Sequence, residues 1–331
     1  MTAPIEVTGS DAEAQPEAVL AGIDRKAIQG RSLWQIAWLR LKRDKVALIG
    51  GGIVVFLILV AIFGPFLVQD PNVFHQNLND PTFNRPKYGF WHSGISGDHW
   101  LGVEPSNGRD MLARIVHGAR VSLLVAFCAT LLSVVIGVVL GVVAGYFGGW
   151  VDTIISRAMD VFLAFPLLLF AIALVGVLAD ASVFGLSGNG LRIWVLMFVI
   201  GFFNWPYIGR IIRGQTLSLR EREFVDAARS MGAGSFYILF RELLPNLVAP
   251  ILVYSTLLIP TNILFEAALS FLGVGVIPPK PSWGGMLSQA VSTYSVAPMF
   301  MVIPGLAIFI TVLAFNLFGD GLRDALDPRA K

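Results

Sequence analysis

The sequence predicts an all-α integral membrane protein with about six transmembrane helices. Two observations carry that expectation. Of 331 residues, 55% are hydrophobic and only 14% are charged, whereas about a quarter of a soluble domain is charged. The apolar residues are also gathered into runs of about 20, the length a helix needs to cross the hydrocarbon layer. The single Cys128 excludes an internal disulfide, and its apolar surroundings suit a small buried side chain.

Residues 1–30 are rich in Ala, Glu and Pro and show no helical stripe, so a disordered N-terminal tail is expected. They have no basic start followed by an apolar core, and so do not read as a secretory signal peptide. Residues 31–68 hold an interfacial helix and the first span. Leu33, Trp34, Ile36, Trp38, Leu39 and Leu41 alternate with Arg40, Lys42, Arg43 and Lys45, a composition suited to the headgroup layer. A nucleic-acid patch is the competing reading. The run leads straight into the first span, Val46–Val68, so lipid is the expected partner and nucleic acid is not.

Residues 69–120 form a long, polar extracytoplasmic loop that includes Pro71, Pro81 and Pro86. At its end Met111, Leu112, Ile115 and Val116 suggest an amphipathic helix lying on the outer surface. His75, His92, His99 and His117 all fall in this region. His92 and His99 flank Asp98, a weak metal-ligand pattern beside the plainer reading of surface or structural histidines; no metal site is assigned.

Residues 121–331 form the transmembrane core. The spans are Val121–Tyr146, about Val161–Leu178, about Ile193–Ile212, Leu247 to about Leu272, and about Ala297–Phe318. Pro166 and Pro206 interrupt the patterns of the third and fourth. The Gly-rich stretch from Gly145 to Asp152 reads as a turn, and Arg157 and Asp160 have the spacing of an ion pair on one helix face. Six spans put both termini on one side. Lys and Arg concentrate before the first span, between Arg210 and Arg241, and after the last span. The positive-inside rule therefore makes both termini and the loop at 218–250 cytoplasmic.

That loop cannot sit in a bilayer. Ser218 and Glu221 fit a capping box, and Gly232 supplies a residue able to turn left-handed and close a helix. Between them Phe224, Val225, Ala228 and Met231 fall on one face with charges opposite, an apolar stripe available for docking. Ala227 and Ala228 are small enough for close approach. A second helix is expected from near Ser235 toward Pro245. An ordinary solvated loop helix is the plain alternative. In the fifth span Glu266 lies near Asn262 and Ser270, and a charge at mid-membrane costs about 2.5–3.5 kcal/mol. Glu266 should therefore face the interior or a wet cavity. Lining a translocation path, pairing with a partner subunit, and a place near the outer interface all remain open.

Several motifs resemble one family. Asp226-Ala227-Ala228, three residues, Gly232, then Leu244-Pro245 resembles the EAA loop of ABC-importer permeases, E-A-A-x3-G-x9-I-x-L-P. Asp226 stands for the usual Glu, and Glu242 for the usual Ile. The run from Leu101 to Arg114 is similar to a segment of peptide-type permeases, with Val103-Glu104 where Thr-Asp is usual. Glu266–Gly275 followed by Pro278, Pro279, Pro281, Ser282, Trp283 and Gly284, and the closing Gly319–Arg329, match the same subfamily. From about residue 31 onward the chain is similar to the C-type (DppC/OppC-like) permease subunit of dipeptide and oligopeptide ABC importers.

The resemblance implies the type I ABC importer permease fold in a bacterial or archaeal cytoplasmic membrane. It implies as partners a second homologous permease subunit, two ATPase subunits, and an extracytoplasmic solute-binding protein. The loop would be a coupling helix seated on an ATPase through Glu223, Phe224, Asp226, Ala227, Ala228, Met231, Gly232, Leu244 and Pro245. ATP and magnesium would bind the ATPases, with no cofactor in this chain. Consistent with that, no G-x4-G-K-[ST], G-x-S-x-G or H-E-x-x-H occurs, and no catalytic residues are assigned. Close relatives carry nickel and other small solutes. A self-contained ion-coupled carrier is the competing class, but it often shows internal repeats, and none is evident here.

Overall fold

The computed structural model describes residues 33–178, 182 and 185–327. The tail at 1–30 lies outside the described residues. In order the chain forms α1 (Leu33–Leu41), α2 (Lys45–Leu67), an outer loop, α3 (Met111–Phe147), α4 (Gly149–Ala164), α5 (Leu167–Leu178), α6 (Gly188–Leu219), α7 (Glu223–Ser230), α8 (Ser235–Phe271), α9 (Trp283–Ala290) and α10 (Met299–Leu326). The outer loop holds one hairpin, β1 (Asn79–Asp80) paired antiparallel with β2 (Arg85–Pro86). Among the described residues five helices, α2, α3, α6, α8 and α10, are long and apolar enough to cross a membrane, and the bent pair α4–α5 makes a sixth if it is one span.

Four expectations change. The amphipathic helix at Met111 is not separate: α3 runs unbroken from Met111 to Phe147, with Arg114 buried in its first turns and matched by Glu104 at 3.1 Å. The third span is two helices bent by 78°. Pro166 forces the preceding Phe165 into an extended conformation at φ −80°, ψ 128°. Pro206, by contrast, sits inside α6 without ending it. The fifth span begins at Ser235 rather than Leu247, with a π-helical stretch at Ile238–Leu243 in which the Leu244 amide reaches back to the Leu239 carbonyl. Pro245 follows directly after that stretch without ending the helix, so the expected break there does not occur.

The helix α3 is the central column, packed against α2, α6 and α8. One side of it meets Val54, Ala61, Ile259, Ile263, Ile308 and Phe315 from α2, α8 and α10. The other meets Ile193, Leu196, Val199, Ile200 and Phe203 of α6. On α2 the buried positions Ala47, Gly50, Val54, Ala61 and Gly64 form a narrow stripe. Ile49, Val55, Phe56, Leu59, Ile62 and Phe63 point outward, as lipid-facing residues should.

The two ends of the bundle are distinct. At one, Met111 packs with Met286, Ala290 and Phe300, joining the starts of α3 and α10 to α9. At the other, Tyr146 of α3 meets α7. Also at that other end α1 folds onto α10 through Ala37, Leu41, Ala47 and Ala325, and Arg40 Nη1 donates to the Asp327 carbonyl at 2.6 Å. Arg213 grips both oxygens of Asp152, and Arg210 pairs with Asp160, so α4 is tied to α6. The pair read from spacing, Arg157–Asp160, forms at 3.7 Å on the surface.

Candidate functional site

The loop at 218–250 is built around α7. Ser218 stays within the last turn of α6, so the expected capping box with Glu221 does not form; the N-cap of α7 is Arg222, without a side-chain cap. The start of α7 is stabilised instead by charge. Glu223 and Asp226 lie in its first turn and Arg229 in its last, each complementing the helix dipole. Asp226 and Arg229 pair at 3.2 Å, an exposed contact worth at most about 1 kcal/mol. The far end closes as expected. Gly232 takes φ +84°, its amide donates to the Arg229 carbonyl at 2.9 Å, and the Ala233 amide donates to Ala228 at 3.0 Å. Those two bonds define the Schellman turn.

The apolar stripe divides. Val225 and Ala228 are buried against Ile238 and Leu243, with Tyr146, Leu219, Ala233 and Leu239 around them. Phe224 and Ala227 are exposed, and Met231 is 82% exposed. Ala228, expected on the docking surface, is therefore part of the clamp that holds α7 down. Leu243 closes that clamp, while Leu244 is half-buried and Pro245 is exposed just beyond. On the first turns of α8 the exposed rings of Phe236 and Phe240 have their centroids 4.5 Å apart. The result is a short helix pinned on one side and presenting a small apolar face with an acidic flank on the other.

Asn262, Glu266 and Ser270 come together inside the bundle. All three are buried among this chain's own helices. Asn262 Nδ2 donates to Thr130 Oγ1 of α3 at 2.8 Å, and its Oδ1 accepts from Asn204 Nδ2 of α6 at 2.7 Å. Glu266 Oε1 accepts from Ser270 Oγ at 2.7 Å. Asn262 thereby joins α8 to α3 and α6, while the Glu266–Ser270 bond lies within α8.

The family model described as the binding-protein-dependent transport system inner membrane component matches residues 137–331. That for the N-terminal transmembrane domain of oligopeptide transport permease C matches residues 32–86. The chain belongs to this permease family. The glutathione transport system permease protein GsiD of Salmonella typhimurium is 44% identical over 306 residues, covering 92% of this chain and 94% of that protein. GsiD of Escherichia coli O6:H1 is 42% identical over 309 residues, with the same coverage. A chain of the MetNI methionine ABC transporter in an inward-facing conformation superimposes with a TM-score of 0.53 at 20% identity, covering 66% of this chain and 98% of its own. The fold is thus that of the type I ABC importer permeases, and the permease is a multi-pass inner-membrane protein with a transport role.

Two features of the permease were not anticipated. The outer loop is organised by a buried carboxylate. Glu104 binds Arg109 through two bonds of 2.8 and 2.5 Å, pairs with Arg114, and accepts from Asn107 at 3.1 Å. Asp110 caps α3 by accepting from the Ala113 amide at 2.7 Å and holds His99 Nδ1 at 2.6 Å. Glu104, which departs from the family's usual Asp, nevertheless supplies the anion at the centre. The second feature is the spacing Gly137, Gly141, Gly145 on α3, a small-xxx-small stripe that permits close helix approach. A Cβ at Gly141 would stand 2.7 Å from the Gly209 carbonyl, and one at Gly145 would stand 2.6 Å from Thr216 Cβ. The stripe is legible in the sequence, so this signal was available.

Proposed function

We propose that this permease forms half of the pore of an ATP-driven importer of peptides. It would pair with a second homologous permease subunit, two cytoplasmic ATPase subunits and an extracytoplasmic solute-binding protein. The observation that carries the proposal is the form of α7, clamped through Val225 and Ala228 while Phe224, Ala227 and Met231 face outward. A helix fixed in this way transmits force; a merely solvated loop helix needs no such clamp. ATP and magnesium act on the partner ATPases, and this chain takes no cofactor of its own. The relatives named for glutathione, itself a tripeptide, and the oligopeptide-type N-terminal domain support a short peptide as substrate. The distribution of Lys and Arg supports cytoplasmic termini and a cytoplasmic α7.

In this reading, closure of the ATPases draws on Glu223–Met231. The pull passes through Gly232 into α8 as far as Leu244 and Pro245, tilting the spans outward-open. Asn262, Glu266 and Ser270 work from behind the pore wall, keeping α8 in register with α3 and α6. The test is a pull-down of the permease in mild detergent from its native membrane, comparing wild type with Asp226→Lys. Recovery of a second permease and ATPases with wild type, and loss of the ATPases with the variant, is expected. A permease recovered alone that moves solute in proteoliposomes without ATP would replace this reading with an ion-coupled carrier.

A further inference from the structure

We infer that Arg220 is a positioning residue that fastens the root of α7 to the end of α3, so that α3 rather than α8 alone carries motion to and from the coupling helix. The coupling role rests on the function proposed above; the fastening itself does not. The last carbonyls of a helix lack intrahelical partners and carry the negative end of its dipole. At the end of α3, Gly148 N–H satisfies Ala144. The next two carbonyls are met from another element: Arg220 Nη1 donates to Gly145 at 3.1 Å and reaches Tyr146 at 3.5 Å. Its Nε donates to Glu221 at 2.9 Å. Arg220 is the C-cap of α6 and lies three residues before α7 begins.

Room for this contact is kept by Gly148. It turns with φ +66°, and a Cβ there would stand 3.0 Å from Arg220 Nη1. The same end of α3 holds the other end of α7. Tyr146 packs against the Val225–Ala228 cluster, and the Arg229 guanidinium lies 5.8 Å over its ring. Thus α7 is bound to α3 through Arg220 just before its start and through Arg229 in its last turn, in addition to its packing on Ile238 and Leu243 of α8. The 37 residues of α3 span about 55 Å. Its opposite end is held by the Glu104–Arg109–Arg114 group, with Arg114 Nη2 donating to Gln289 of α9 at 3.3 Å. One continuous helix therefore joins the outer loop to α7, and Arg220 is its clasp.

The test uses Arg220→Met, which keeps the aliphatic stem, and Arg220→Lys, which keeps the charge but loses the planar fork. Amide hydrogen exchange is measured on the permease alone in nanodiscs, and ATPase co-purification and uptake on the complex. Arg220→Met is expected to speed exchange across residues 223–233 about tenfold, the scale of one charged hydrogen bond lost. It should leave the ATPases bound and lower binding-protein-stimulated uptake about fivefold or more. Arg220→Lys should recover part of both, and it carries the test if the Met variant does not fold. Unchanged exchange would overturn the inference, as would faster exchange with normal uptake. Loss of the ATPases with unchanged exchange would instead make Arg220 a docking contact and also overturn it. If wild type recovers no ATPases, the proposed function fails while the exchange measurement still decides the clasp.

Discussion

At Gly232 the chain turns with φ +84°, and no atom lies within 4 Å of where a Cβ would be. A side chain there meets no clash, only the left-handed backbone penalty of about 1–2 kcal/mol, heavier for a β-branched residue. Gly232→Val is therefore expected to leave insertion and yield unchanged while lowering ATP-dependent uptake, measured together in membrane vesicles. Uptake equal to wild type would show that the Schellman turn is not part of coupling. Asn262 poses a different problem, since its amide is spent in both directions, on Thr130 and on Asn204. Asn262→Leu strands a buried donor on Asn204, at a cost of about 1–3 kcal/mol. A lower melting midpoint in detergent is expected, and an unchanged midpoint would mean that the interior triad adds little to the bundle.

Between elements the decisive contact is that of α3 with α6, where Gly137, Gly141 and Gly145 face Trp205, Gly209 and Thr216. Gly141→Leu would have to displace backbone rather than the end of a flexible side chain, and overpacking of this kind costs about 1–3 kcal/mol or more. The control is Gly214→Ala on α6, where nothing lies within 4 Å. The first change is expected to lower the folded fraction on size-exclusion in detergent and the second to leave it unchanged; equal behaviour would remove the glycine stripe from the account. The same comparison explains what was legible. Helix closure at Gly232 and the spans of α2 and α10 depend on local pattern, so spacing and composition reveal them. The division of α7 does not. Phe224, Val225, Ala228 and Met231 cover roughly 120° of one helix face, and only the arrival of Ile238 and Leu243 from α8 decides which pair is covered. Likewise Ser218 looks like a cap until α6 is seen to continue through it, and Pro206 looks like a break until α6 is seen to run on past it to Leu219.

For the whole molecule, the described ends of the chain and α7 lie at one end of the bundle and the Glu104 group at the other. Charge counts along the sequence predicted that separation, although not the buried knot of Glu104, Arg109 and Arg114 in the outer loop, because its members pair across a fold rather than along a helix. Which end faces the cytoplasm is open to direct measurement, since Cys128 is the single cysteine of the sequence and a Cys128→Ser background carries no thiol. Trp100 in the outer loop is 72% exposed, Met231 is 82% exposed, and Asp324 near the end of α10 is also exposed. A membrane-impermeant maleimide applied to intact cells is expected to label Trp100→Cys at once, and Asp324→Cys only after permeabilisation. The reverse pattern would invert the permease and place α7 where no ATPase can reach it. Met231→Cys adds a second outcome to the same experiment. It should label in permeabilised membranes containing the permease alone and be protected when the ATPases are co-expressed, whereas Asp324→Cys should label equally in both. Equal labelling of Met231→Cys with and without the ATPases would leave the topology intact but remove the exposed face of α7 from the docking surface.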